Sequence, residues 1–209
     1  KVTIDTTAPT SLSTQTLSLN TTSDTGTSST DLITNDTTPT ITTSTLANIS
    51  MSVGDIIQVI DTSNSSAVVG SYTVLSTDLT SGKWNGTTKS LTLSSLAEGA
   101  HILKLRLVDL AGNIGVVSTA TLTVTEDITA NSPVIALTTD SGTSTTDKIT
   151  NSGLLTLTGV ETGATVQYST NGGVTWSNSF TSVPGANSVQ VRQIDLAGNT
   201  SAASSTLNF

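Results

Sequence analysis

Cysteine is absent from the chain, so no disulfide can staple it and no thiolate can act as nucleophile or metal ligand. That absence points to the cytosol or to a bacterial secreted protein stabilised by other means. Aromatic residues are only 3% and apolar residues 34%, so any core is small and aliphatic, built from Val, Ile and Leu. A thin core needs outside help, such as metal or neighbouring domains. Proline is scarce at 4 residues and glycine moderate at 16, which excludes a Pro/Gly-rich linker. Basic residues number 7 against 15 acids, a net charge of −8. This excludes the basic face expected of a nucleic-acid binder, and no association with anionic membranes is expected. No apolar run is long enough to span a bilayer, so no membrane insertion is expected. There is a single histidine, His101. With no second His or Cys it makes no zinc site, and no Ser-His-Asp context surrounds it. It reads as a partly exposed strand histidine. The acids fall at ends and turns rather than in a cleft, so no enzyme is expected.

Ser and Thr dominate what is present, with 76 residues between them. The branched Cβ of Thr suits a pleated surface. Twelve of the acids are Asp and three are Glu, a balance that favours loops and hard-cation ligation over helix. Two stretches recur in the same order. Asp24-Thr-Gly-Thr-Ser-Ser-Thr-Asp31-Leu-Ile-Thr-Asn35 returns as Asp140-Ser-Gly-Thr-Ser-Thr-Thr-Asp147-Lys-Ile-Thr-Asn151, with nine of twelve positions identical. Arg106-Leu-Val-Asp109-Leu-Ala-Gly-Asn113 returns as Arg192-Gln-Ile-Asp195-Leu-Ala-Gly-Asn199. Such repetition marks an array of like units.

The spacing predicts residues 1–9 as linker, 10–126 as a first unit, 127–133 as a second linker and 134–209 as a shorter unit. Period-two alternation predicts strands near Leu12–Leu19, Thr40–Thr45, Asp55–Ile60, Ser71–Leu75, Ser90–Leu96, Ile102–Val108 and Thr119–Thr125. In the second unit it predicts Val134–Leu137, Leu154–Gly159, Thr165–Ser169, Val174–Ser177, Ser188–Ile194 and Ser205–Phe209. Extra length around Asp61–Thr88 reads as a loop insertion. Seven or so short strands per unit imply an all-β protein of two tandem immunoglobulin-like β-sandwich domains, with a closed barrel as the alternative. Val2-Thr-Ile-Asp5 matches Val124-Thr-Glu-Asp127, so residues 2–5 read as the last strand of a preceding domain, and the chain as a piece of a longer array.

In such a sandwich Asp24 and Asp31 lie at the C-terminal end of unit one, where its last strand also delivers Asp127. The turn holding Asp195 lies at the N-terminal end of unit two. Convergence of these four carboxylates would be strongly repulsive without a cation. Ca²⁺ fits best, taking six to eight oxygens from carboxylates, carbonyls and water, whereas Mg²⁺ demands stricter geometry. Taken singly, each Asp is also an ordinary turn former. No EF-hand loop or glycine-rich nonapeptide repeat is present.

Together with the hairpin Tyr168-Ser-Thr-Asn171-Gly-Gly173-Val-Thr-Trp176, these motifs resemble the tandem bacterial immunoglobulin-like repeats of giant type I-secreted adhesins of the RTX type. The resemblance covers nearly the whole chain. It implies a monomeric, extracellular or cell-surface rod that projects a distal binding domain for adhesion or biofilm formation. Neighbouring repeats would be its partners, and a host-cell or surface ligand would be met through other domains. By the same resemblance, Ca²⁺ ligation at interdomain junctions carries over to Asp5, Asp24, Asp31, Asp109, Asp127, Asp140, Asp147 and Asp195. The alternative is a carbohydrate-binding module using Trp84 and Trp176, although each Trp also reads as packing a hairpin onto a sandwich. Thr is too scattered for an ice-binding face. The Asn48-Ile-Ser50 and Asn85-Gly-Thr87 triplets are matches that arise by chance in a Ser/Thr-rich chain.

Overall fold

The computed structural model describes residues 3–209; the expected strand start at Val2 lies outside the described residues. The chain divides into two compact units, Lys1–Ile128 and Thr129–Phe209. Both are built from β-strands, and the protein is all-β with immunoglobulin-like layering.

In unit 1 one sheet has the order β1–β3–β8, from Leu17–Leu19, Thr40–Thr43 and Ser90–Thr92. The facing sheet has the order β2–β10–β9–β4–β5. Its strands are Ile33–Thr34 (β2), Leu122–Glu126 (β10), Gly99–Val108 (β9), Ile56–Asp61 (β4) and Ala67–Thr73 (β5). All pairings are antiparallel except β10 with β2, which run parallel with Thr125 opposite Ile33 and Glu126 opposite Thr34. Alternation does what period two requires. Along β9, His101, Leu103, Leu105 and Leu107 turn inward. The core is aliphatic, with Ile41, Leu46, Ile57, Val59 and Val124 fully or almost fully buried, plus Met51 and Trp84. Leu12 belongs to this core without lying in a strand.

The segment 61–88 departs from the expected loop insertion. It supplies β5 as an edge strand of the larger sheet and a small hairpin, β6 (Leu79–Thr80) with β7 (Lys83–Trp84). Trp84 enters the core edge-on to Tyr72, at 6.2 Å between centroids. Burying a large aromatic ties the segment down more firmly than its polar composition suggests.

Unit 2 has a two-stranded sheet, β11 (Val134–Leu137) with β12 (Leu155–Thr158). Its second sheet is β13–β14–β15, from Thr165–Ser169, Ser188–Ile194 and Leu207–Asn208. Its buried apolar side chains are Val189, Val191, Ala197 and Leu207. Val174–Ser177 does not form the expected strand. It touches β13 through one bridge, Tyr168 to Ser177, because the Asn171-Gly-Gly turn is closed by side chains instead. Asn171 accepts from the Thr175 N–H, and the Trp176 indole donates to the Gly173 carbonyl at 3.0 Å.

Candidate functional site: repeated carboxylate loops

The paired-Asp loop is the same object in both units. Leu32 N–H donates to Asp24 Oδ2 at 3.3 Å, and Lys148 N–H donates to Asp140 Oδ2 at 2.8 Å. Ile33 N–H donates to Asp31 Oδ1 at 3.2 Å, and Ile149 N–H to Asp147 Oδ1 at 3.1 Å. A hydroxyl closes each loop: Thr25 onto Asn35 Oδ1 at 2.8 Å, and Ser141 onto Asn151 Oδ1 at 2.9 Å. Leu32 and Lys148 are both left-handed, with φ of 64° and 61°. A bulky residue in that region costs free energy, and such strain concentrates at sites that use it. Here it aims two consecutive N–H groups at the two carboxylates.

Each loop leaves the same oxygen over. Asp24 Oδ1 and Asp140 Oδ1 are buried with no hydrogen-bond partner. Burial, partly offset by the Leu32 N–H and reinforced by the Asp31 charge, holds the Asp24 carboxyl above its usual range. An unpaired buried carboxylate oxygen is costly; a proton, a water or a hard cation can satisfy it.

The turn before each last strand is also duplicated. Asn113 N–H donates to Asp109 Oδ1 and its amide to Asp109 Oδ2, both at 2.8 Å. Asn199 does the same to Asp195, at 2.8 and 2.9 Å. The Asn113 side chain lowers the Asp109 pKa; desolvation opposes it, and three backbone N–H groups help it. Asn113 also donates to the Asp5 backbone carbonyl at 3.2 Å, while the Asp5 carboxylate accepts from the Thr7 N–H at 3.0 Å. Asp195 is buried, and one of its oxygens lies within 4.8 Å of a Glu161 oxygen. Glu161 is tied by the Asn131 N–H at 2.7 Å.

Asp127 follows β10 directly and donates its N–H to the Thr34 carbonyl at 2.8 Å, which sets it at the paired-Asp end of unit 1. At that end lies a residue the sequence reading passed over. Glu126 is fully buried, and neither carboxylate oxygen has a partner. Burial first, then Asp36, Glu98 and Asp127, push its pKa up to about 7, with His101 pulling the other way. His101 is also a correction. It is buried rather than partly exposed, with Nδ1 at 2.7 Å from Asp61 Oδ2 and Nε2 at 2.8 Å from the Ala97 carbonyl. Burial alone would lower its pKa; these two acceptors outweigh it, so His101 titrates above its ordinary value and Asp61 below.

The profile of the family described as bacterial Ig-like domain matches residues 11–128. The chain belongs to this family. No curated protein matches it. Among solved structures it is similar to a biofilm-associated protein described by its BSP domain, at 16% identity and a TM-score of 0.27, covering 84% of this chain and 28% of that one. It thus spans less than a third of that chain. It is also similar to the fibronectin(III)-like modules of Clostridium thermocellum CbhA, at 15% identity and a TM-score of 0.31, covering 84% and 85%. As for sugar stacking by a bacterial Ig-like unit, Trp84 is buried, and one face of Trp176 is taken by the Arg192 guanidinium at 4.3 Å. Among the described residues no helix is long and apolar enough to cross a membrane.

Proposed function

We propose that this chain is a structural stretch of a bacterial cell-surface adhesin. Its repeats hold a distal binding domain away from the cell, and Ca²⁺ stiffens them. The observation that carries this is the duplicated orphan, Asp24 Oδ1 and Asp140 Oδ1, at the same position of two loops with the same hydrogen bonds. Evolution of a plain turn has no reason to keep a buried, unpaired carboxylate oxygen in both copies. Asp24 with Asp31, and Asp140 with Asp147, would supply paired ligands. Asp5 with Asp109, and Asp127 in the linker with Asp195, would supply the others, and Glu161 adds a carboxylate beside Asp195. The role is mechanical rather than catalytic, and the setting is extracellular. The carbohydrate-binding reading is weaker, because one indole is in the core and the other is partly covered by Arg192.

Calorimetry with Ca²⁺ and with chelator tests the ion. A cation that binds only the folded chain stabilises it by about 2.7 kcal/mol at a hundredfold excess over Kd. Superimposable melting curves at low ionic strength refute Ca²⁺ binding. Small-angle scattering tests the stiffening: chelation should broaden the distribution of dimensions, and Asp195→Ala should look chelated even in Ca²⁺. An Asp195→Ala chain that responds to Ca²⁺ as wild type does would remove Asp195 from the clamp.

A further inference from the structure

Both ring nitrogens of His101, the single histidine of the chain, face acceptors. Nδ1 lies 2.7 Å from Asp61 Oδ2, and Nε2 lies 2.8 Å from the Ala97 carbonyl oxygen. A neutral imidazole has one N–H and one lone pair, so it can serve only one of these oxygens. Two acceptors at hydrogen-bond distance therefore require the imidazolium. His101 is 8% exposed and Asp61 1%, so solvent does little to replace a missing proton.

The surroundings decide which proton leaves when the ring is discharged. Asp61 is fixed by three donors to its Oδ1: the Ser63 N–H, the Ser63 hydroxyl and the Ile102 N–H. Its Oδ2 is left to His101, and a carboxylate in that position retains the Nδ1 proton. The Nε2 proton faces a neutral carbonyl and is the one lost. Two lone pairs then face each other across 2.8 Å, and the Ala97 carbonyl has to move. The charged groups around the ring are all acids: Asp61 at the end of β4 and Glu126 on β10, with Asp36 and Glu98 near Glu126. Burial works against the charged ring, and the Asp61 carboxylate, the Ala97 carbonyl and the Glu126 charge outweigh it.

The Ala97 carbonyl belongs to the turn that leads into β9. The next residue, Glu98, accepts the Ile128 N–H at 2.9 Å, and Ile128 is the last residue of unit 1. Gly99 follows with φ of 120° and open space where a Cβ would stand, so the turn has room to shift. One series of contacts thus runs Asp61–His101–Ala97–Glu98–Ile128. Unit 2 holds its own turn without a titrating group. The repeat that sets Arg106 against Arg192 sets His101 against Asn187 and Ala97 against Val183. Asn187 donates its amide to the Val183 carbonyl at 2.9 Å, and an amide does not titrate.

We propose that His101 is a proton-operated latch at the exit of unit 1: the imidazolium holds the Ala97–Glu98 turn and, through it, the Ile128 backbone, and loss of the Nε2 proton releases both. The latch lies within unit 1 and involves no cation, so it stands or falls apart from the Ca²⁺ reading.

Nuclear magnetic resonance of the 209-residue chain in chelator, titrated from about pH 5 to 9, tests this. The imidazole signals, the Ala97 carbonyl carbon and the Ile128 amide should titrate with one midpoint, above the ordinary 6.5 of histidine. Asp61→Asn should lower that midpoint by about one unit or more and carry the other two signals with it. His101→Asn, which installs the amide that unit 2 uses, should leave the Ile128 amide flat across the range. Glu126 also titrates there, so the wild-type pattern is repeated in Glu126→Gln, where the three signals should still move together. If Asp61→Asn does not fold by circular dichroism, the wild-type and Glu126→Gln curves decide alone. An Ile128 amide or Ala97 carbonyl that ignores the imidazole, or a common midpoint that disappears in Glu126→Gln, overturns the latch. So does a midpoint unmoved in folded Asp61→Asn, or an Ile128 amide that still titrates in His101→Asn.

Discussion

At the scale of single residues, Glu126 makes the sharpest claim. It is a carboxyl without partners on the inward face of β10, following Leu122 and Val124. Its folded-state pKa, about 7, exceeds its ordinary 4.5. The folded state therefore holds the proton more tightly. Stability is highest where Glu126 is neutral, falls as pH rises from about 4.5 to 7, and is flat above. His101 has the same sign: its contribution is present below its ordinary 6.5 and lost as pH rises through its higher folded value. Asp61 has the opposite sign, contributing above its ordinary 3.8 and losing that contribution as pH falls through its lower folded value. Unit 1 should then be most stable near pH 4 to 4.5 in chelator, above the range where Asp61 is protonated and below the range where Glu126 ionises. Glu126→Gln should flatten the decline between pH 5 and 7 and gain about 2 kcal/mol at pH 8, at about 1.4 kcal/mol per pKa unit with allowance for the new amide's own burial. Urea titrations across that range measure it, and an unchanged slope refutes it. One reason accounts for both residues. Alternation ends the last strand at Thr125 and starts β9 at Ile102, which leaves Glu126 and His101 outside the runs whose inward parity buries them.

The loops were the most legible elements. Identical residues in Asp24–Asn35 and Asp140–Asn151 produce near-identical hydrogen bonds, since short polar side chains closing onto nearby N–H groups fix a loop locally. Strands with strict alternation were equally clear, with Val134–Leu137, Thr165–Ser169 and Ser188–Ile194 found at the expected bounds. The segment 61–88 was clear only in part. The expected strand Ser71–Leu75 overlaps β5, which pairs with the preceding β4 as a hairpin, Asp61 opposite Ala67. What leaves no local pattern is the packing that fixes the segment: Gly70 lies so close to Leu93 that an added Cβ would be 2.8 Å from it. The element-scale consequence is that the β6–β7 hairpin anchors the core rather than decorating it. Trp84 is 5% exposed and meets Tyr72, whose ring also carries the Lys89 ammonium at 3.2 Å. Trp84→Ala should destabilise unit 1 by about 3–5 kcal/mol, the usual range for a buried aromatic truncated to Ala. A loss below about 1 kcal/mol in urea would make the segment the dispensable insertion that its composition suggests.

For the whole molecule, the two units divide the stability unequally. Unit 1 buries a contiguous cluster running from Leu12 to Val124. Unit 2 buries Val189, Val191, Ala197 and Leu207, while Val134, Leu154 and Val174 on its surface are 61%, 68% and 79% exposed. Hydrophobic burial is the dominant favourable term, and small units that bury little are marginal. Unit 2 should thus unfold first, and a single transition should not describe the chain. The two tryptophans allow each unit to be followed separately, since Trp84 lies in unit 1 and Trp176 in unit 2. With Trp176→Phe, fluorescence follows unit 1 alone. Trp176 is half-buried under Arg192, so that change removes one stacking contact and leaves the unit 2 core in place. The wild-type urea curve in chelator should resolve into two steps, and the Trp176→Phe curve should keep only the later one. Added Ca²⁺ should move the first step to higher urea, because Asp140, Glu161 and Asp195 belong to the weaker unit and mass action acts on whichever fold holds the ion. Coincident steps would mean that unit 2 draws its stability from something other than its own core, and the thin sandwich would have to be understood as part of one cooperative whole.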